Sequence, residues 1–143
     1  MYMDSCIFCK IIHGKIDSRK IYETAHSMVI LDAFPLKEGH TLIISKNHKS
    51  KIQELSIEEN KDIFSTLHFI VDSVEKIVEG NSTLVAVHNG ENAGQEIPHL
   101  HIHIIPVKKT EKQAAIHSMF TKKKFPDDKL DIIWKNLTNK LQK

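Results

Sequence analysis

The segment HLHIHII, residues 99–105, decides the fold. It places imidazoles at positions 99, 101 and 103 and puts a large aliphatic side chain at each position between and after them. Successive side chains of a β-strand point to opposite faces of the sheet, so this alternation predicts a strand with one aliphatic face and one imidazole face. We expect the aliphatic face to enter the core, whereas the imidazole face needs hydrogen-bond partners or solvent.

The spacing of the three imidazoles bears on which chemistry they can perform. At about 3.3 Å per residue, His99 and His103 lie about 13 Å apart along a strand, whereas metal–nitrogen bonds are only about 2 Å long. A single ion bound by all three is therefore disfavoured, although two neighbours could share one. Alternatively, a neutral imidazole can attack an electrophile through one ring nitrogen while a hydrogen bond at the other nitrogen fixes the tautomer.

The loop before this strand, HNGENAGQEIP over residues 88–98, concentrates small residues and amide donors. Small residues let the backbone approach a ligand closely, and amide donors suit an anionic oxygen. A histidine nucleophile beside such a loop predicts chemistry at phosphorus.

The composition indicates one domain over residues 1–143, because 41% hydrophobic and 27% charged residues are typical of a compact globular chain. A formal net charge of +2 is too small to indicate a nucleic-acid partner. The start lacks the features of a signal peptide, and no apolar run approaches roughly eighteen residues. We therefore expect a cytoplasmic protein with no membrane partner.

The remaining chain predicts an α+β protein. CIFCKIIHGK favours a short helix or turn ending at Gly14, and RKIYET, SMVILDA and GHTLIISK favour three strands, the first two as a hairpin. The helical period begins at Ser56, which with Glu59 makes a capping box, and Gly80 is a plausible stop. STLVAVHN predicts a fourth strand, residues 108–124 a Lys-rich loop, and the stretch from about Asp127 an amphipathic helix.

The HLHIHII motif, preceded by NGENAGQ and by LDAFPLKEGHTLIISKNH, resembles the signature of the histidine triad (HIT) family. The resemblance extends from about Cys6 to Val107. It implies a five-stranded antiparallel meander with a long helix and a C-terminal helix, and a ten-stranded sheet across a homodimer. It also implies hydrolysis or transfer of nucleoside monophosphate groups.

The resemblance assigns roles to particular residues. His101 would be the nucleophile that forms a transient nucleotidyl-histidine, His103 would contact the α-phosphate and the leaving group, and His99 would complete the catalytic triad. Asp32 would hold the ribose hydroxyls. The loop residues beside the phosphate would be Asn89, Gly94 and Gln95, and the residues around the base would be Phe8, Ile16, Ile30 and Leu31. A third histidine favours water as the second acceptor, hence hydrolysis. Glu96 departs from the Ser or Thr that many members carry near the leaving group.

The two cysteines form a C-x-x-C pair, Cys6 and Cys9, which supplies half of a tetrahedral metal site. In a subset of bacterial-type HIT proteins that this chain resembles, two histidines complete a structural zinc site; here they would be His48 and His99. Two free thiols in a small core are the alternative. Thioredoxin-like redox chemistry lacks the expected preceding strand.

The predicted activity is that of a nucleotide phosphohydrolase or phosphoramidase acting on a small nucleotide, such as AMP bound to a leaving group or an adenosine phosphoramidate. No metal is required for the chemical step. A nucleotide-binding regulatory or scaffold protein with little turnover is the alternative. Asp32, Asn89 and Gln95 could instead be ordinary turn or surface residues. The remaining histidines are interpreted as structural or solvent-facing: His13, His26, His40, His68, His88 and His117.

Overall fold

The computed structural model describes residues 3–142. The chain divides into two compact units, one extending to Lys112 and the other beginning at Gln113, and each is described by itself. The prediction of a single domain over 1–143 stays a prediction.

The first unit is built on a five-stranded antiparallel sheet. Its strands are β1 (Lys20–Glu23), β2 (Ser27–Leu31), β3 (Thr41–Ser45), β4 (Gly80–Ala86) and β5 (His101–Lys108). Two helices belong to the same unit, α1 (Ile7–Ile12) and α2 (Ile57–Ile77). The predicted α+β class, with a sheet formed by these five segments, is confirmed.

The strand order is β1-β2-β3-β5-β4, and all neighbouring strands are antiparallel. The predicted five-stranded antiparallel sheet is confirmed, and its consecutive pairing holds for β1 to β3 and for β4 with β5; the meander is interrupted only where β3 pairs with β5 and not with β4. The long helix α2 separates β3 from β4 and carries the chain across the sheet, so β5 returns between them. As a result the histidine motif lies on an interior strand, with β3 on one side and β4 on the other.

The aliphatic face of β5 enters the core as predicted. Leu100, Ile102 and Ile104 are buried in a cluster with residues of β2, β3 and α2, namely Val29, Ile43, Ile63, Ile70 and Val74. Burying a large aliphatic side chain stabilises a fold by about 1.5–3 kcal/mol. The alternation that places the imidazoles on the opposite face is therefore fixed by this packing.

Helix α2 begins at the predicted capping box. The Ser56 hydroxyl accepts from the Glu59 backbone N–H at 3.1 Å, and the Glu59 carboxylate accepts from the Ser56 N–H at 2.8 Å. The predicted glycine stop is wrong, because Glu79 adopts the positive φ of 56° and Gly80 already belongs to β4. A Cβ atom on Gly80 would lie 2.5 Å from the Val107 carbonyl oxygen, so glycine is needed for close strand packing.

The imidazole face of the sheet is partly covered by α1. Phe8 and the two cysteines of this segment are buried with Met28, Ile30, Leu42 and Ile44. The Phe8 ring lies 5.0 Å from that of His101 and 5.7 Å from that of His99, measured between centroids. The N-terminal segment therefore forms one wall of the histidine site.

The second unit contains a short 3-10 helix at Ile116–Met119 and helix α3 (Asp127–Leu141). The predicted start of the final helix at Asp127 is confirmed, and Pro126 precedes it as the N-cap. None of the helices in residues 3–142 is both long enough and apolar enough to cross a bilayer.

Candidate active site

His101 is the first residue of β5, and its ring is held in one tautomer. Nδ1 lies 2.7 Å from the backbone carbonyl oxygen of His99. A carbonyl oxygen can only accept, so Nδ1 carries the hydrogen and Nε2 carries the lone pair. The ring is thereby oriented by a backbone contact within its own motif, with Nε2 available as a nucleophile.

Burial favours the neutral form of His101 and His103 by lowering the pKa of each ring. Desolvation is the main cause that lowers the pKa of His101, and the potential charge of His88 lowers it further against the backbone hydrogen bond to His99. Desolvation likewise lowers the pKa of His103 to about 4, with further contributions from His101, His40 and His88. An imidazole must be neutral to act as a nucleophile, so these shifts favour attack by His101 near neutral pH.

His103 receives a hydrogen bond from His40, which immediately precedes the neighbouring strand β3. The Leu36 N–H donates to Nδ1 of His40 at 3.1 Å, so the hydrogen of the neutral His40 ring is on Nε2. That Nε2 lies 3.0 Å from Nδ1 of His103 and donates to it. Nδ1 of His103 is therefore the acceptor, and Nε2 of His103 carries a hydrogen that can be donated to a ligand.

Asp32 follows β2 directly and lies beside this pair. One carboxylate oxygen accepts from the Phe34 N–H at 2.8 Å, and the other lies 3.6 Å from Nε2 of His40. Asp32, His40 and His103 bring their ligand atoms within 4.8 Å of one another. A metal ion does not fit the hydrogen bonding, because Nε2 of His40 is the protonated nitrogen and has no lone pair to offer.

His99 is fully buried and faces the two cysteines. Nε2 lies 2.6 Å from the Ser45 carbonyl oxygen, so Nε2 donates and Nδ1 carries the lone pair. That Nδ1 lies 3.3 Å from Sγ of Cys6 and 3.7 Å from Sγ of Cys9. Desolvation is the main cause that lowers the pKa of His99 to about 4. The hydrogen bond from Nε2 to the Ser45 carbonyl orients the ring and leaves the lone pair of Nδ1 next to the cysteine sulfurs. This arrangement is common to metal-binding histidines.

The predicted metal residues come together in space. Nδ1 of His48 lies 3.4 Å from Sγ of Cys9, and the ligand atoms of Cys6, Cys9, His48 and His99 all lie within 4.8 Å of one another. A tetrahedral ion with usual zinc–sulfur and zinc–nitrogen bonds separates a sulfur from a nitrogen by about 3.6 Å. The observed sulfur–nitrogen distances match this separation, so the four side chains fit a zinc ion.

The loop residues predicted to contact phosphate are bonded to a neighbouring loop. Oδ1 of Asn89 accepts from the Ile52 N–H at 2.9 Å, and Nδ2 donates to Oε1 of Gln53 at 3.1 Å. Gln95 is buried; it accepts from the Gly90 N–H at 2.9 Å and donates to the Ser50 carbonyl at 2.8 Å. These amides fix the shape of the loop, and their contact with phosphate stays a prediction.

The residues predicted around the base differ in exposure. Phe8 and Ile30 are buried together in the cluster under α1, whereas Ile16 and Leu31 are partly exposed. Asp32 follows Leu31 in the chain, which brings the predicted base and ribose positions to the same end of β2. No ligand contact tests these roles, which stay predictions.

Two functional candidates were missed when the sequence was interpreted. His40 contacts His103 as described, and the His88 ring lies 6.0 Å from the His103 ring between centroids. The strand register is the feature that could have identified them. Leu42 of β3 and Ala86 of β4 both pair with His103. His40 and His88 each lie two positions from one of these partners, so their side chains fall on the same face of the sheet as His103.

The family model for the HIT domain matches residues 13–110. This span is more than half of the chain and contains the histidine motif, the loop of residues 88–98 and Asp32. The chain therefore belongs to the HIT family, as the resemblance of its motifs implied.

Characterised relatives and solved structures agree with this membership. The adenosine 5'-monophosphoramidase hnt1 of Schizosaccharomyces pombe is 43% identical over 102 residues, which cover 71% of this chain and 74% of the relative. The adenylylsulfatase HINT3 of Arabidopsis thaliana is 39% identical over 116 residues, covering 81% of this chain and 59% of the relative. The crystal structure of a histidine triad nucleotide-binding protein from Candida albicans superposes with a TM-score of 0.79 at 33% identity, covering 96% of this chain and 97% of that one.

Proposed function

We propose that the protein is a nucleotide hydrolase that cleaves a nucleoside monophosphate from its leaving group through a nucleotidyl-histidine on His101. The observation that carries the proposal is the hydrogen bond from Nδ1 of His101 to the His99 carbonyl, because it leaves a lone pair on Nε2 of a buried, neutral ring. The phosphoramidase and adenylylsulfatase names of two relatives support the same class of reaction.

The reaction proceeds in two displacements at phosphorus. In the first, Nε2 of His101 forms a bond to the α-phosphorus while the bond to the leaving group breaks, and a departing amine takes a proton delivered through water. In the second, a water oxygen bonds to phosphorus, the phosphorus–nitrogen bond breaks, and Nε2 regains its lone pair while the water loses a proton. His103 donates a hydrogen bond from Nε2 to the phosphoryl oxygen or the leaving group.

Nucleotide binding in this proposal uses the surfaces around the triad. The Asp32 carboxylate accepts hydrogen bonds from the ribose hydroxyls, because its oxygens have acceptor capacity beyond the contact with Phe34. The base packs among Phe8, Ile16, Ile30 and Leu31. The loop carrying Asn89, Gly94 and Gln95 lies beside the phosphate, with Asn89 and Gln95 maintaining its shape.

A structural zinc ion is the second part of the proposal. Cys6, Cys9, His48 and His99 would hold it, and the fit rests on the sulfur–nitrogen distances and on the ring orientation set by Ser45. Zinc would tie the N-terminal segment to the sheet and supply folding free energy. His99 would then serve the metal and position the carbonyl that orients His101, without contacting the substrate itself. No zinc is needed for the displacement at phosphorus.

A homodimer joined through β4 is the third part. β4 is an edge strand with exposed Leu84 and Val85, and it carries no charged side chain. The opposite edge, β1, carries Lys20 and Glu23, and charged side chains on an edge strand discourage pairing. Pairing of β4 with its copy would produce a ten-stranded sheet. We also propose a cytoplasmic location, which the two buried cysteines support because they are not joined by a disulfide.

Release of AMP from adenosine 5'-phosphoramidate tests the activity. We expect turnover by the purified chain and its loss in His101→Ala, with a nucleotidyl adduct trapped on the wild-type protein by an alkaline denaturing quench, because the phosphorus–nitrogen bond is labile in acid, and located by mass spectrometry. His68→Ala, which removes an exposed imidazole of α2, is the matched control and should retain full activity. AMP binding without turnover would instead support the scaffold alternative, and undiminished turnover by His101→Ala would refute the nucleophile.

A further inference from the structure

His88 lies two residues beyond β4 and faces the triad. Its ring centroid is 6.0 Å from that of His103, and the two planes are nearly perpendicular, at 84°. His88 is only partly buried, whereas His99 is fully buried. A fourth imidazole therefore stands beside the reacting histidines at a position that a ligand can reach.

The tautomer of His88 is fixed by its own loop. Nδ1 lies 2.6 Å from the Ala93 carbonyl oxygen, so Nδ1 donates and the neutral ring carries its lone pair on Nε2. Within residues 3–142 no side chain or backbone group is hydrogen-bonded to that Nε2. The ring thus presents an acceptor next to His103, which presents a donor.

The loop is shaped around this ring. Gly94 adopts a positive φ of 90°, and a Cβ atom there would lie 3.1 Å from Nδ1 of His88 and 3.4 Å from its Cε1. A larger residue would therefore crowd the imidazole as well as strain the backbone. The neighbouring residue, Asn89, is turned away toward Ile52 and Gln53. Adjacent positions thus have separate tasks, with Asn89 anchoring the loop and His88 next to the triad.

We propose that His88 contacts the substrate, and that its Nε2 accepts a hydrogen bond from the atom that lies opposite His101 across the phosphorus. This inference rests on the proposed function and deepens it. In-line displacement puts the leaving group opposite the attacking nitrogen, and the water of the second step enters from the same side. One acceptor at that position serves both steps.

The two steps use His88 differently. In the first, Nε2 accepts a hydrogen bond from an N–H of the amine leaving group and orients it. In the second, the oxygen of water bonds to phosphorus, its proton passes to Nε2 of His88, and the electron pair of the broken phosphorus–nitrogen bond returns to Nε2 of His101. The imidazolium of His88 then releases its proton to solvent, which restores the starting state.

His88→Asn separates this role from a structural one. An asparagine amide can reach the position of Nδ1 and keep the donor to the Ala93 carbonyl, but it has no group where Nε2 lies. We expect kcat for adenosine 5'-phosphoramidate to fall about a hundredfold, the usual scale for loss of a general base. The affinity for AMP and the melting temperature should remain those of the wild type. In rapid-quench experiments the nucleotidyl adduct on His101 should accumulate, because the second step is the one that needs the base.

His68→Ala again serves as the control and should match the wild type in every measurement. A wild-type kcat in His88→Asn would overturn the proposal, and so would a fall in kcat matched by an equal loss of AMP affinity or by a lower melting temperature. These outcomes are distinct from failure of the proposed function, in which the wild-type chain itself releases no AMP or remains active without His101.

Discussion

Nε2 of His40 lies 3.0 Å from Nδ1 of His103 and donates a hydrogen bond to it. The donor is fixed because the Leu36 backbone N–H already occupies the other nitrogen of His40. A turn between β2 and β3 therefore determines which nitrogen of a triad histidine carries a hydrogen. His40 acts through His103 and is a positioning residue.

Replacing His40 by Phe should impair turnover through His103. The phenyl ring fills the space of the imidazole, but it cannot donate to His103 or accept from the Leu36 N–H. A net hydrogen bond contributes about 0.5–1.5 kcal/mol, so we expect kcat to fall up to about tenfold, with KM little changed. His40→Gln, whose amide can donate from a similar distance, should recover part of this loss.

Nitrogen NMR of the labelled histidines measures the tautomer of His103, which would not change if His40 had only a structural role. In the wild type the His103 signals should report hydrogen on Nε2, and in His40→Phe they should report a mixture of tautomers. An unchanged tautomer together with an unchanged kcat would remove His40 from the positioning of the triad.

Acidification should destabilise the protein in part through His103. Its pKa is lowered to about 4 in the folded state, mainly by desolvation, whereas an unfolded histidine titrates near pH 6.5. Below about pH 6.5 the unfolded chain binds a proton that the folded chain does not, so the stability present above that pH is lost as the pH falls toward 4. Urea unfolding at pH 7, 6 and 5 should therefore show a smaller loss of free energy for His103→Gln than for the wild type. Identical pH dependences would contradict the lowered pKa.

Loss of one cysteine should abolish binding of the proposed zinc ion. Cys9→Ser replaces a sulfur that lies near both His48 and His99 by a weaker hydroxyl ligand. We expect the freshly purified wild type to carry about one zinc ion per chain, and the variant to lack it and to melt at a markedly lower temperature. His117→Ala, in the second unit, should keep both zinc and stability. Metal analysis by mass spectrometry checks the content. A wild-type protein purified without zinc from zinc-supplemented medium would remove the metal from the proposal.

Much of the fold followed from short-range patterns. The alternation in HLHIHII set the two faces of β5 because burial of Leu100, Ile102 and Ile104 admits only one register. The capping box at Ser56 and Glu59 is a contact between residues three positions apart, so the sequence displays it directly. The two cysteines form a local C-x-x-C pattern, whereas His48 and His99 were added to them by family resemblance alone.

Long-range pairing was not visible in the same way. Nothing in the sequence near residue 80 indicates that β5 inserts between β3 and β4, because that order depends on how α2 crosses the sheet. His40 and His88 are 63 and 15 residues from His103, and only this strand order brings both to it. Asn89, by contrast, was expected beside the phosphate, but its side chain accepts from the Ile52 N–H. The residue before it, His88, is the one that faces the triad.

A charge on the β4 edge should dissociate the proposed dimer. Val85 is 42% exposed on that strand, and lysine there would place a charge where the copy of β4 is expected to pair. We expect Val85→Lys to raise the monomer–dimer dissociation constant at least about tenfold, a change of about 1.4 kcal/mol. Ile21→Lys puts the same charge on the opposite edge, β1, where Ile21 is similarly exposed, and should leave the dimer intact. Sedimentation equilibrium at several concentrations measures both constants. Dissociation by Ile21→Lys but not by Val85→Lys would move the interface to the other edge, and a wild-type protein that sediments as a monomer throughout would eliminate the ten-stranded sheet.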